Sequence, residues 1–568
     1  MHYVALATDY DGTLATDGHT DQTTLAALEA LKRTGRRLLL VTGRELDDLR
    51  RVMPRLDLFD LVVAENGALL YRPCSGEERP LAAAPPPGFV ERLRADGVTP
   101  LSVGRVVVAT WEPNERRVLE AIRDLGLHMH IVFNKGAVMV LPAGVSKASG
   151  LRAALADLGI SPVNCVAVGD AENDFAFLDL CGMPVAVANA LPSLKQRAVL
   201  VTQGERGVGV AELAHRLLAT DLAELDAANA RQHVALAAPL PDDPGDAITF
   251  APSRARLLLI GPSGGGKSTL TSGLVERVTE AGLQVCLLDP EGDHTELQDA
   301  VLLGTAAEPP RVTEVVDVLR DTGSSVALNL LGLRLADRPG FLAELRDALL
   351  SLRRRLGRPH FIVVDEAHHM MPAGAAAGAA PGEFAGLMLI TTQLRALAPG
   401  IAEAIDRLVV VGEGAEDAVR QFCAVRGLPA RKDSVELALG EMLTLTVDAP
   451  EPRHMRVIPG KAEQRRHIRR YAEGTLGEDR CFYFRGPDSR LALRAQNLLA
   501  FVEIGQGVDD ETWEFHRQRS DFSRWIGLSI RDRELTRAVE QIERSGRATD
   551  AARDALRAAI ESRYTLPG

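Results

Sequence analysis

Paired cysteines are missing from this chain. Its 6 cysteines (Cys74, Cys165, Cys181, Cys286, Cys423 and Cys481) lie far apart with no C-x-x-C pair. That pattern gives neither a zinc site nor a disulfide framework, and it fits a reducing compartment. Long apolar runs are missing too: stretches such as Leu257–Ile260 and Leu408–Val411 are far too short to span a bilayer. Met1 to Ala7 carry no basic region and no cleavable apolar core. The expected location is the cytosol, with no membrane partner. Positive charge is in deficit, with a net charge of −12, so the chain is a poor general binder of phosphate backbones and nucleic acid is not a favoured partner. Two arginine clusters, Arg353, Arg354, Arg355 and Arg358, then Arg465, Arg466, Arg469 and Arg470, read as solvated helix ends. Internal repeats are absent.

What is present is length and alternation. At 568 residues the chain exceeds one hydrophobic core and should hold three or four domains. To about residue 218, β-rich runs alternate with amphipathic stretches, which predicts an α/β fold with a largely parallel sheet. Its strands are expected at Val4–Thr8, Arg37–Thr42, Leu61–Ala64, Cys165–Gly169 and Pro184–Val187. An insert with its own strand–helix–strand rhythm occupies about 75–142. A proline- and acid-rich stretch, Ala237 to Asp246, marks a linker over 219–247. A second α/β region is expected over 248–458, with an Ala/Gly/Pro loop at Pro372–Gly382 expected to be mobile. A helical segment is expected over 463–568. There Phe482, Tyr483, Phe484, Phe501, Trp513, Phe515, Phe522 and Trp525 mark a small separate core, since the chain has only 3 tryptophans. His516 within it reads as a hydrogen-bonded core residue.

The first strand ends in Asp9-Tyr-Asp11-Gly-Thr-Leu14. Carboxylates two apart on an extended strand end point the same way. One can attack phosphorus while the other protonates the leaving oxygen, splitting a hard hydrolysis into two transfers through an aspartyl-phosphate. Leu40-Val-Thr42-Gly-Arg44 offers a hydroxyl and an amide for phosphoryl oxygens, and Lys147 at a helix start offers a cation. Val168-Gly-Asp170-Ala-Glu-Asn-Asp174 supplies acids suited to Mg²⁺. All four pieces follow strands, in the order one sheet-edge site requires.

This set, together with Ala64-Glu-Asn-Gly-Ala68, resembles the haloacid dehalogenase-like (HAD) phosphatases of the Cof type across about residues 1–218. The resemblance implies a Rossmann-like core with an α/β cap at the insert. It also implies Asp9 as nucleophile, Asp11 as general acid/base, and Thr42 and Lys147 as phosphoryl ligands. Mg²⁺ would be held by Asp9, the Asp11 backbone carbonyl and Asp170, with Asn173 and Asp174 in support. A cap leaves room only for a compact phosphoester such as a sugar phosphate or a similar metabolite.

Leu257–Ile260 runs into Gly261-Pro-Ser-Gly264-Gly265-Gly266-Lys267-Ser268-Thr269 and then a helical pattern. This is the P-loop pattern in its proper context, with backbone amides for the phosphates, Lys267 for the β and γ groups and Ser268 for Mg²⁺. Phe361-Ile-Val-Val-Asp365-Glu366-Ala-His368 is a strand ending in acids. Asp365 suits the Mg²⁺ shell and Glu366 suits activation of water, which favours ATP hydrolysis over small-molecule kinase chemistry. Leu389-Ile-Thr-Thr-Gln393 ends in a polar group able to sense a γ-phosphate.

With Leu287–Asp293, this order is similar to the HerA/FtsK-type ATPases over about 250–430. The resemblance implies a RecA/HerA-like domain and homo-oligomeric rings. Arg395, Arg407 and Arg354 are open candidates for a trans-acting arginine. Three functions fit these motifs. The favoured one is a small-molecule phosphatase governed by ATP next door. The others are a ring motor on nucleic acid with the phosphatase as effector, and a bifunctional kinase–phosphatase.

Overall fold

The computed structural model describes residues 1–134, 136–241, 243, 245–292, 300–374, 384–429, 435–461, 481–487, 491–530 and 532–564. Residues 1–458 form one compact unit and 459–568 another. The arginines at 465–470 and residues 375–382 of the Ala/Gly/Pro loop lie outside the described residues.

The first unit begins with β1 (Ala5–Asp9), β2 (Arg37–Val41), β3 (Leu61–Ala64), β4 (Leu69–Arg72) and β5 (Glu77–Pro80). A separate four-stranded antiparallel sheet follows, made of β6 (Ser102–Val103), β7 (Val108–Trp111), β8 (Met129–Asn134) and β9 (Ala137–Pro142) in the order β6-β7-β9-β8. The helices Pro87–Ala95 and Glu115–Asp124 accompany it. The chain then returns with β10 (Cys165–Gly169), β11 (Met183–Ala186) and β12 (Leu200–Val201). The main sheet reads β12-β11-β10-β1-β2-β3-β4-β5. It is parallel from β12 to β3, with an antiparallel hairpin at the β4–β5 edge. β1 and β10 are buried along their whole length, as expected for strands covered on both faces.

Two expectations need correction. The insert does not begin at 75, because β5 pairs with β4 in the main sheet, and its exposed, polar sequence hides a strand at a sheet edge. Nor is 219–247 a linker throughout. β13 (Val234–Ala238) lies inside it, with Val234, Leu236 and Ala237 buried, and Asn229 donates to the Gly182 carbonyl at 2.8 Å. The prolines directly after β13 dominate the composition and mask the strand.

β13 opens a second sheet with β14 (Ile248–Phe250), β15 (Arg256–Ile260), β16 (Val285–Asp289), β17 (Ala300–Leu303), β18 (Ser325–Asn329), β19 (Phe361–Val364), β20 (Leu387–Thr391), β21 (Arg407–Val411), β22 (Glu441–Thr446) and β23 (Arg453–Val457). Its order is β14-β13-β23-β22-β21-β15-β20-β19-β16-β18-β17. The block from β21 to β17 is parallel. β20 separates the strand that enters the P-loop from the strand that ends at Asp365.

A polar seam joins the two sheet domains. Asn164, ahead of β10, accepts from His360 Nε2 at 2.9 Å and donates to the His2 carbonyl at 2.9 Å. The first arginine cluster is only partly solvated. Arg358 is 0% exposed and donates to backbone carbonyls of Gly159, Arg320 and Asp321, while Arg353 caps those of Pro359, His360, Ala385 and Gly386. Those carbonyls draw the arginines in, a placement helix periodicity does not reveal.

The second unit pairs Phe482–Phe484 with Leu493–Ala495 and surrounds the pair with helices, from Leu498–Gly507 to Thr549–Tyr564. Phe482, Phe501, Phe522 and Trp525 pack ring on ring at its centre. His516 is buried there. Its Nδ1 meets Asp521 at 2.9 Å and its Nε2 accepts the Arg485 amide at 3.1 Å, so both ring nitrogens are committed.

Candidate active sites

The first site forms where parallel strands end side by side. Asp9 pairs in register with Val41 and Thr8 with Val168, so Asp9, Thr42 and Asp170 emerge at one sheet edge. Lys147 starts the helix Lys147–Asp157, fixed by a reciprocal Ser146–Ser149 capping box. Its ammonium lies 2.6 Å from Asp9 Oδ1 and 2.7 Å from Asp174 Oδ1. Burial works to lower the Lys147 pKa, but Asp174 and Asp9 outweigh it and hold the group above its usual value. Asp9 is pushed up to about 8, first by burial and then by Asp174, against the pull of Lys147.

One oxygen each from Asp9, Asp170 and Asp174 lie within 4.8 Å of one another, a spacing and an all-oxygen donor set that fit a hard divalent cation. Asp174 is engaged through both of its oxygens. Its Oδ1 accepts from Lys147 and its Oδ2 accepts the amides of Asp170 and Ala171 at 2.8 and 2.9 Å. Asn173 donates to Asn66 at 3.4 Å and keeps a buried Oδ1 without a partner. Thr13, which sequence reasoning passed over, donates to Asp170 Oδ1 at 3.0 Å.

Asp11 stands at the mouth. Arg44 grips its carboxylate through Nε and Nη2, each at 2.7 Å, and pairs with Asp48 at 2.6 Å. Arg44 stood beside Thr42 in the sequence with no role assigned; a carboxylate thirty-three residues away gave no local signal. Thr42 is buried and accepts the Arg44 amide at 3.1 Å. A cavity of about 530 Å³ joins this edge to the smaller sheet, with Asp9, Asp11 and Arg44 on one side and Thr110, Asn134 and Met139 on the other.

In the P-loop, Gly264 and Gly266 take φ of +75° and +98°, conformations glycine alone adopts at no steric cost. Lys267 opens the helix Lys267–Glu280. Its ammonium rests on the Gly261 and Pro262 carbonyls at 3.1 and 3.3 Å, and 3.8 Å from Glu366. Gly265 lies within the loop, and Ser268 and Thr269 follow Lys267 in the first turn of the helix. Asp365 follows β19 and accepts the Glu366 amide at 2.8 Å. Glu366 sits at φ +38°, a strained value for a residue with a Cβ, and burial raises its pKa above the usual carboxylate range. Because β20 lies between β15 and β19, its end falls between the loop and these acids. Thr391 there meets His368 Nδ1 at 3.2 Å, and the same nitrogen is 3.3 Å from Glu366. Gln393 lies exposed beyond it. Arg407 begins β21 opposite Leu257, at the far end of β15 from the P-loop.

No described helix is long and apolar enough to cross a membrane. The family model for a haloacid dehalogenase-like hydrolase matches residues 6–78 and 106–213, and the model for an AAA domain matches residues 253–393. The chain is 31% identical over 228 residues to the phosphoglycolate phosphatase of Methanothermobacter thermautotrophicus, covering 38% of this chain and 98% of that protein. It is likewise 31% identical over 227 residues to the phosphoglycolate phosphatase of Pyrobaculum aerophilum, covering 38% of this chain and 95% of that one. A solved haloacid dehalogenase-like hydrolase from Bacteroides thetaiotaomicron aligns over 38% of this chain and 99% of its own, at 19% identity and a TM-score of 0.33. Through its N-terminal domain, with an AAA-type P-loop domain behind it, the chain belongs to the haloacid dehalogenase-like hydrolases.

Proposed function

We propose that the N-terminal domain is a Mg²⁺-dependent phosphatase of small phosphomonoesters, working through an aspartyl-phosphate on Asp9, and that the P-loop domain binds and hydrolyses ATP. The observation that carries this reading is the Lys147 ammonium held between Asp9 and Asp174, with Asp170 beside them. Asp9 attacks phosphorus in line and Lys147 offsets charge on the phosphoryl oxygens. Asp11 gives a proton to the leaving oxygen once Arg44 releases it, and then takes one from the attacking water. Bound at Asp9, Asp170 and the Asp11 carbonyl, Mg²⁺ would supply a countercharge that keeps Asp9 ionised.

The cavity of about 530 Å³ suits a metabolite rather than a polymer end. Phosphoglycolate, named for the Methanothermobacter thermautotrophicus and Pyrobaculum aerophilum relatives, and sugar phosphates are the substrates to try first. In the P-loop domain, Lys267 and the loop amides hold the phosphates, Ser268 and Asp365 the cation, and Glu366 the water. The motif order supports a HerA/FtsK-type ATPase that assembles in rings, and the shared seam supports ATP control of the phosphatase.

Phosphate release from a panel of phosphoesters, with and without Mg²⁺, tests the reading. Asp9→Asn should abolish phosphoester turnover while ATP hydrolysis persists, and Lys267→Ala should do the reverse. Equal loss of both activities in Asp9→Asn would refute two separate engines.

A further inference from the structure

Glu65 plays no part in the chemistry above, yet it is 1% exposed and makes three hydrogen bonds across a domain boundary. It follows β3 with φ +51°, and its amide donates to the Arg44 carbonyl at 2.9 Å. Its side chain leaves the main sheet and enters the turn between β6 and β7 of the smaller sheet. There Oε1 accepts the Arg105 amide at 2.8 Å, and Oε2 accepts those of Val106 and Val107 at 2.8 and 3.0 Å. Gly104 makes room for it, since a Cβ at that position would lie 2.7 Å from the carboxylate. A buried carboxylate is tolerated only when its lone pairs are satisfied, and here the donors all come from one turn.

Neighbouring contacts tie down the same turn. Ser102 donates to Glu45. Arg105 reaches Asp47 at 2.9 Å and Glu78 at 3.3 Å. The chain crosses into the smaller sheet after β5 and back after β9, so this turn is a third attachment away from both crossings. From it β7 runs on through Ala109, Thr110 and Trp111, which line the cavity opposite Asp9 and Asp11.

We infer that Glu65 is a positioning residue that pins the cap, fixing the distance between β7 and the Asp9 edge and thereby deciding which leaving groups fit. The cap is a jaw held to the core at this turn rather than a lid swinging freely on its two crossings. Selectivity then depends on a carboxylate that touches no substrate.

Glu65→Gln keeps the shape but points an NH₂ at amides that need an acceptor. In the full-length protein it should speed hydrogen exchange at residues 105–107. Turnover of the best phosphoester should fall roughly 100-fold in kcat/KM, as expected for misplacement near 1 Å. p-Nitrophenyl phosphate turnover and inhibition by inorganic phosphate, both read at the Asp9 edge, should hardly change. Gly104→Ala crowds the same contact with the charge kept, should shift selectivity in the same direction, and decides the matter if Glu65→Gln does not fold. Unaltered exchange at 105–107, or an unaltered ratio between the two substrates in either folded variant, overturns the inference. It rests on the phosphatase reading, but the two fail differently. Wild-type protein inert on every phosphoester sinks that reading, whereas active wild-type protein with unchanged selectivity in the variants sinks this one.

Discussion

Lys147 and Asp174 show how a buried charge is kept in place and put to use. An isolated ammonium at 2% exposure would be driven neutral; with Asp9 and Asp174 on either side it stays charged and aimed. Asp174 in turn is fixed by two backbone amides, so it orients Lys147 more than it serves a ligand. Asp174→Asn keeps the volume and removes one of the two negative partners. A loss of roughly 100-fold in phosphoester kcat is expected, with ATP hydrolysis unaffected; steady-state assays of both activities check it. At this scale part of the arrangement was legible in the sequence, because Asp9 and Asp170 lie at the ends of β1 and β10 and Lys147 at a helix start. Arg44, Thr13 and Glu65 were not, since their partners lie 33, 157 and about 40 positions away.

At the scale of elements, the turn Ala64-Glu-Asn-Gly-Ala68 is a junction. Glu65 reaches the cap, Asn66 meets Asn173, and Gly67 lets the helix that carries Lys147 approach. A Cβ on Gly67, at φ +103°, would lie 1.9 Å from the Ser146 carbonyl, and one on Gly150 would lie 2.6 Å from Gly67 Cα. Overpacking of this kind costs about 1–3 kcal/mol and left-handed backbone strain a similar amount. Gly67→Ala should therefore lower the urea midpoint and reduce phosphatase activity together by displacing the start of the helix at Lys147. Activity retained alongside full stability would contradict the packing argument. In the P-loop domain the comparable device is β20, whose place between β15 and β19 brings Thr391 to His368, which in turn meets Glu366.

Within residues 1–458 the seam carries one acid-sensitive contribution, opposed by Asp9, whose raised pKa favours the folded state as the pH falls below 8. His2 lies there at a pKa lowered to about 3 by burial, and burial also holds His360 well below its ordinary value. His360 Nδ1 already accepts the Gln284 amide at 2.8 Å, so a proton there would face another N–H. The unfolded chain takes up these protons near pH 6.5 while the folded one resists. The stabilisation is thus whole above pH 6.5 and is lost as the pH falls from there toward the folded-state values. For His2 alone the loss is about 2 kcal/mol by pH 5, at about 1.4 kcal/mol per pH unit. Urea unfolding of the wild type and of His2→Gln at pH 7 and pH 5 isolates this share: the wild type should lose about 2 kcal/mol more than the variant over that interval.

The sequence by itself determined the chemistry-bearing strand ends: acids after β1, β10 and β19, glycines before Lys267, and alternating runs that make parallel sheets. Local geometry is enough for these, because a carboxylate at a strand end or an amide nest at a helix start is built from residues adjacent in the chain. Only the tertiary structure decided what lies across a boundary: the grip of Arg44 on Asp11, the hold of Glu65 on the cap, the place of β5 and β13 in their sheets, and the burial of Arg358 in the seam. Such contacts depend on which backbone amides and carbonyls meet after folding, and those groups are the same in every residue but proline, so no side-chain pattern announces them.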